Sequence, residues 1–172
     1  LFSGTHPHQG HGPPRGGPPP ATPPKNPRGV PPGGATADLT PRTLDQRRAW
    51  VESHAPRTRY PVVVMEDGAG EVVAFGSLSR YHEREGYDGV DELSYYVDER
   101  HRQAGYGSRM VDWLLSAARE RGVRMAVTLI FAENAGSTAL MHRFGFHRFG
   151  LLPRACSDGS RLLDMAYWYL DL

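Results

Sequence analysis

Residues Val90 to Gly107 read V-D-E-L-S-Y-Y-V-D-E-R-H-R-Q-A-G-Y-G, and this stretch decides the fold. Val90 to Val97 is rich in β-branched and aromatic residues, which predicts a strand. Gly107 to Arg121 places Met110, Val111, Leu114, Leu115 and Ala118 at helical spacing and is closed by Gly122, which predicts a helix with a glycine cap. A strand that runs through a Gly-bearing loop straight into a helix builds a phosphate site. Gly105 and Gly107 have no side chain to keep a pyrophosphate off the backbone N–H groups, and the positive end of the new helix points at it. Arg102 adds a charge at the mouth.

The loop alone also fits a plain strand-to-helix turn. Two rival phosphate motifs are excluded. A dinucleotide fingerprint wants a third glycine where Met110 stands, and a P-loop ends in Gly-Lys-Ser/Thr, which the chain lacks.

Outward from this core, Thr43 to Ala55 reads as a helix before Pro56, with Leu44, Arg47, Arg48, Trp50 and Val51 on one face. Pro61 to Glu66 and Glu71 to Ser79 are β-branched runs joined by Asp67-Gly68-Ala69-Gly70, a hairpin signature. Val123 to Phe131 is a further strand, parallel to Val90 to Val97 because a helix crosses between them. A short helix from Ala135 to Phe144 stops at Gly145, and closing strands begin near Phe146 and Leu162. The fold class is α+β, with a mixed, mostly antiparallel central sheet flanked by helices.

Composition divides the chain near Gly34. Residues 1–34 hold 11 of the 15 prolines and 8 of the 20 glycines, with no acidic residue. Such a segment cannot offset its ordering entropy by apolar burial, so it is expected to be a disordered Pro/Gly-rich tail, with one domain over residues 35–172. Leu1-Phe2 is followed at once by polar, Gly and Pro residues, so no secretory signal is read, and the start at Leu1 fits a fragment. Residues 35–172 carry 17 arginines against 19 acidic residues, a net charge of −2. That speaks against a nucleic-acid partner, and no stretch has membrane-span length. The lone Cys156 cannot form an intrachain disulfide, which points to the cytoplasm, and it lies in a loop-like run, P-R-A-C-S-D-G-S, without a distinctive His partner. His6, His8 and His11 have no preformed scaffold, so no metal is expected.

The spacing R-x-x-G-x-G from Arg102 to Gly107 resembles the acetyl-CoA loop of the GNAT superfamily of acyl-CoA-dependent N-acyltransferases. F-A-E-N-A-G-S-T-A-L-M-H-R-F-G-F, Phe131 to Phe146, resembles that superfamily's N-x-x-S-x-x-L-x-x-x-x-G-F segment, although Asn134 and Ser137 are also ordinary helix-start residues. E-L-S-Y-Y-V, Glu92 to Val97, is similar to the E-H-S-x-Y-V strand of the phosphinothricin acetyltransferase group. G-S-R-L-L-D, Gly159 to Asp164, resembles that group's G-R-W-L-D, and Thr36 to Trp50 looks like its T-F-D-x-x-P-R-T segment.

The resemblance implies acetyl-CoA as co-substrate, with its pyrophosphate on Arg102, Gln103, Ala104, Gly105, Tyr106, Gly107 and Ser108. It implies further that the strand at Tyr95, Tyr96 and Val97 meets the pantetheine, that Asn134 and Ser137 flank it, and that the acceptor is a small amino-acid-like amine. Arg80, Tyr87 and Arg161 are candidates for holding the acceptor's acidic groups, and a homodimer is compatible with the chain. Strand alternation puts Glu92, Ser94 and Tyr96 on one face and Leu93, Tyr95 and Val97 on the other. Glu92 is thereby the candidate base, its pKa raised by partial burial.

Two departures stand out. Met141 occupies the position where the superfamily commonly has Tyr, and this group plausibly His, and a thioether donates no proton. The family's opening strand and helix also have no counterpart in residues 1–34, which would leave the hairpin strand with an exposed edge. The alternative function is accordingly a non-catalytic acyl-CoA-binding or interaction protein derived from such an enzyme. Deletion of residues 1–34 should leave the melting temperature and the acetyl-CoA affinity near those of the full chain; a large loss of either would refute the reading of that segment as an unpacked tail.

Overall fold

The computed structural model describes residues 42–172, so the expected tail and the Thr36 to Pro41 part of the opening match lie outside the described residues. Three helices and six strands follow in chain order: α1 (Leu44–Glu52), β1 (Val62–Glu66), β2 (Val72–Arg80), β3 (Val90–Val97), α2 (Tyr106–Glu120), β4 (Met125–Phe131), α3 (Ala135–Arg143), β5 (His147–Ser157) and β6 (Leu162–Asp171). The sheet runs β1-β2-β3-β4-β6-β5, and only the β3/β4 pair is parallel. This is the mixed α+β architecture that the sequence predicts. β1 and β5 are the edge strands of the described sheet.

Local chemistry sets the boundaries. Asp67 Oδ1 accepts from the N–H of Ala69 (2.8 Å) and of Glu71 (3.0 Å), an Asx arrangement that closes the β1/β2 hairpin. Thr43 and Gln46 cap α1 reciprocally, each side chain accepting from the other's N–H at 3.2 and 2.8 Å. None of α1's residues is buried, so the expected amphipathic face narrows to the contact of Trp50 with His54 and Phe75. The loop-like reading of residues 153–157 is also corrected. They continue β5 beyond an irregularity between Leu152 and Cys156, where Arg154 takes φ 53° and its N–H reaches Asp164 Oδ1 at 2.8 Å.

The core lies between the sheet and the helices α2 and α3. Leu93, Met110, Val111, Leu114, Met141, Phe146 and Trp168 belong to one buried cluster. Gly76 on β2 lets α2 come close: a Cβ there would stand 2.8 Å from both Leu114 Cδ1 and Met110 Sδ. Leu114 and Met110 are themselves fully buried. A side chain at position 76 would therefore overpack the core.

One charged pair sits beside this core. Asp91, 1% exposed, lies in β3 on the Leu93 face and receives both arms of the Arg59 guanidinium, with Nη2 to Oδ1 at 2.8 Å. Burial pushes the Asp91 carboxyl up from its ordinary value and Arg59 opposes the shift, while Asp91 keeps Arg59 firmly charged. The pair ties the segment before β1 to the centre of the sheet. Arg59→Ala should cost about 3–5 kcal/mol at neutral pH, because it strands a buried carboxylate. Acid should shrink that loss, since protonating Asp91 removes the orphaned charge; denaturant midpoints at two pH values measure both.

Candidate active site

The β3/β4 pairing covers three positions, Val90 with Met125, Asp91 with Ala126 and Glu92 with Val127. β4 then stays with β6 along its whole length, to Phe131 opposite Met165, while β3 stays with β2 to Val97 opposite Ala74. Beyond Glu92 the two parallel strands have no ladder between them among the described residues, so the edge of β3 from Leu93 to Val97 that faces β4 opens a slot. Main-chain donors and acceptors along that edge suit an extended, amide-bearing ligand.

At the end of this edge lies the loop. Asp98 anchors it, accepting from Arg100 N (2.9 Å), Nε (3.0 Å) and Nη2 (3.0 Å). The Arg100 contact holds its carboxyl down to about 2. Gln103 at φ 63° and Gly105 at φ 84° then turn the chain through left-handed conformations into α2. Such turns gather successive N–H groups into an anion-binding concavity. A Cβ at Gly105 would meet no protein atom within 4 Å, so the hollow in front of it is open. No capping side chain covers the first turn of α2, leaving its amides to a ligand. Arg109 lies over the Tyr106 ring at 5.8 Å, and an open groove lined by Ser108, Arg109, Asp112, Arg143 and Phe144 continues from the loop.

Gly107 joins the three motifs. A Cβ on it would lie 3.1 Å from Leu140 Cδ1 on α3, 3.6 Å from Val97 Cγ2 and 3.9 Å from Tyr95 Cε2. The loop, the free stretch of β3 and the start of α3 thus converge. Asn134 caps α3, its Oδ1 accepting from Ser137 N at 3.0 Å. Tyr95 is half-buried, and its hydroxyl oxygen is buried without a hydrogen-bond partner. Burial pushes its phenol up, opposed by the neighbouring Ser137 hydroxyl.

The opposite face carries the polar set. Glu92 is half-buried, and desolvation raises its pKa against the weaker pull of Ser94, whose Oγ donates to Glu92 Oε1 at 3.4 Å. Tyr96 stacks on Phe75 with centroids 5.6 Å apart. Burial raises its phenol, with the Arg102 guanidinium opposing. Trp50 meets Phe75 edge-on at 6.1 Å, so α1 and β2 supply an aromatic wall at the Tyr96 end of the face that carries Glu92, which hydropathy alone did not reveal.

The acceptor-side candidates are dispersed. Arg80 stands opposite Asp91, on the face of the sheet away from Glu92, and its Nε donates to Tyr60 Oη at 3.3 Å. Tyr87 stacks on His82 at 4.5 Å and is exposed. Arg161 sits before β6, at the other end of the sheet, and is held by Glu133 (2.6 Å) and Asp158 (3.5 Å). Sequence reasoning missed Asp91 and Arg59. A carboxylate alternating with Leu93 and Tyr95 on an apolar strand face was the available signal. Among the described residues no group of three His, Cys, Asp or Glu side chains is arranged for a metal, and no helix is long and apolar enough to cross a membrane.

A parallel pair that splits beside a glycine loop and an uncapped helix N-terminus suits a long ligand with amide and phosphate groups. Residues 32–146 match the acetyltransferase (GNAT) family, and the chain belongs to it. It is 35% identical over 133 residues to the L-methionine sulfoximine/L-methionine sulfone acetyltransferase of Pseudomonas paraeruginosa, covering 77% of each chain. The phosphinothricin N-acetyltransferase of Streptomyces coelicolor is 29% identical over 135 residues, 78% of each chain. A phosphinothricin acetyltransferase from Sinorhizobium meliloti, solved in complex with acetyl-CoA, superposes with a TM-score of 0.74 at 28% identity, over 81% of this chain and 75% of that one. The chain is thus an acetyl-CoA-dependent acyltransferase related to the phosphinothricin and amino-acid acetyltransferases.

Gly105→Val should weaken acetyl-CoA binding by more than about tenfold, roughly 1.4 kcal/mol. A branched side chain would fill the hollow and strain a left-handed backbone. Calorimetry measures it, and unchanged affinity would take the loop out of the cofactor site.

Proposed function

We propose that the enzyme acetylates the amine of a small amino-acid-like acceptor by direct attack, with Glu92 as the base. The observation that carries this is Glu92 itself. It is a half-buried carboxylate with a raised pKa, on the one strand whose free edge leads to the pyrophosphate loop. A base for an ammonium proton works best when its pKa is lifted toward the working pH.

In this reading Arg102 to Ser108 hold the pyrophosphate, the main chain of Tyr95, Tyr96 and Val97 holds the pantetheine, and Asn134 and Ser137 line its far side. Glu92 takes the ammonium proton directly or through a water. The freed amine attacks the thioester, and a main-chain N–H near Tyr96 or Val97 donates to the carbonyl oxygen as charge gathers there. The carbon–sulfur bond then breaks, and no covalent enzyme intermediate forms.

The likeness to an enzyme named for methionine sulfoximine and methionine sulfone supports an amino-acid acceptor. Arg80, Tyr87 and Arg161 are the candidates for its carboxylate. The aromatic wall of Trp50, Phe75 and Tyr96 suits an apolar or soft acceptor side chain. A reducing cytoplasm and a homodimer belong to the same reading.

Glu92→Gln should lower kcat by about 10²-fold with acetyl-CoA affinity nearly intact, because the amide keeps the shape and loses the base. For wild type, kcat/KM should rise with pH through the raised Glu92 pKa, since only the ionised carboxylate accepts a proton. The defect of the variant should shrink at high pH, where the acceptor amine is already neutral. A defect independent of pH would make Glu92 a positioning residue.

A further inference from the structure

The reaction leaves one proton unassigned. When the carbon–sulfur bond breaks, the electron pair goes to sulfur, and the thiolate leaves faster if a proton meets it. Met141 cannot supply that proton, and it is fully buried in the core. His142, beside it in the chain, sets its ring edge-on against Trp168 at 5.1 Å. Neither side chain of this turn of α3 is a donor facing the slot.

A different hydroxyl stands at the slot. Tyr95 lies on the stretch of β3 that has left β4, and its ring edge borders Gly107 of the loop. Its oxygen is buried without a hydrogen-bond partner, a rare arrangement for which a catalytic role is one explanation. Ser137, in the first turn of α3, is the polar group that faces it. Gly76 is its cross-strand neighbour and has no side chain to compete for the hydroxyl.

We propose that Tyr95 is the proton donor to the departing CoA thiolate, taking the role that Met141 cannot fill; this rests on the acetyl transfer proposed above. The Tyr95 O–H bond breaks as the S–H bond forms, and Tyr95 regains its proton from solvent through the Ser137 hydroxyl. The acceptor nitrogen loses two protons in all, one to Glu92 and one after attack, so one proton reaches sulfur and one is released per turnover. A phenol that burial holds neutral carries its proton throughout the working range.

Tyr95→Phe keeps the ring and removes only the hydroxyl. With saturating acetyl-CoA and the best amine of an amino-acid panel, its kcat should fall at least about tenfold. Its acetyl-CoA Kd should stay within about threefold and its melting temperature unchanged. A normal solvent isotope effect on wild-type kcat should be reduced in the variant. Ser137→Ala should lower kcat in the same direction by a smaller factor. Tyr95→Phe turnover within twofold of wild type would overturn the assignment. So would a variant whose loss lies wholly in acetyl-CoA Kd, because the hydroxyl would then merely hold the pantetheine. A wild-type chain that transfers acetyl to no amine would overturn the acetyl-transfer reading and this one with it, whereas an active wild type beside an unimpaired variant would overturn this one alone.

Discussion

Three paired positions hold β3 to β4, and the site depends on there being no more. Each strand is committed elsewhere: β4 pairs with β6 over seven positions and β3 with β2 over seven. With their outer edges so held, the two strands part beyond Glu92 while each stays within the sheet. The crossover between them is α2, packed over β2 and β3 at the distance Gly76 permits. The divergence therefore yields an unpaired main-chain edge inside a sheet, and it releases that edge toward the N-terminus of the same helix. In the proposed reading, amide-bearing and phosphate-bearing parts of one ligand would be met by two consequences of a single topological fact.

The split also separates the chemistry by face. Glu92 and Ser94 lie on the side flanked by α1, with the aromatic wall of Trp50 and Phe75, while Tyr95 points among α2 and α3. Successive side chains of one strand reach opposite sides of the acyl group that would sit in the slot. Proton removal from the amine and proton delivery to sulfur can then occur on different faces without the two groups neutralising each other. Desolvation raises both pKa values: the carboxylate becomes a better base, and the phenol stays protonated, though as a weaker acid.

Much of this was legible in the chain. The strand, loop and helix from Val90 to Glu120 fall within a residue of their predicted limits, because alternation, two glycines and helical spacing are local signals. The parallel relation of β3 and β4 followed from the crossover rule. Other features were invisible for a shared reason. Arg59 is 32 residues from Asp91, and the polar neighbour of the Tyr95 hydroxyl, Ser137, lies on α3, far along the chain. Both are outcomes of long-range packing, on which a residue's own neighbours carry little information. β5 was read short because Pro153 and Cys156-Ser157-Asp158-Gly159 look like a turn. The bulge at Arg154 absorbs the irregularity and lets pairing resume at Cys156 with Leu163.

Asn134 shows how a single residue sustains two readings at once. Its side chain caps α3, the ordinary use of Asn at a helix start, and in the proposed reading the same residue lines the slot. The cap fixes the start of α3, which fixes Ser137, and Ser137 faces the Tyr95 hydroxyl. Leu140, one turn further, presses against the loop at Gly107. The capping bond thus stabilises the helix and aligns three parts of the cofactor slot, so its structural role is the means by which it serves the chemistry. The same logic holds for Asp98, whose carboxylate spends its hydrogen bonds on Arg100 while shaping the turn that delivers Gly105. At Asp98, unlike Asn134, the residue that shapes the backbone stands apart from the loop amides, which leaves those amides free to bind.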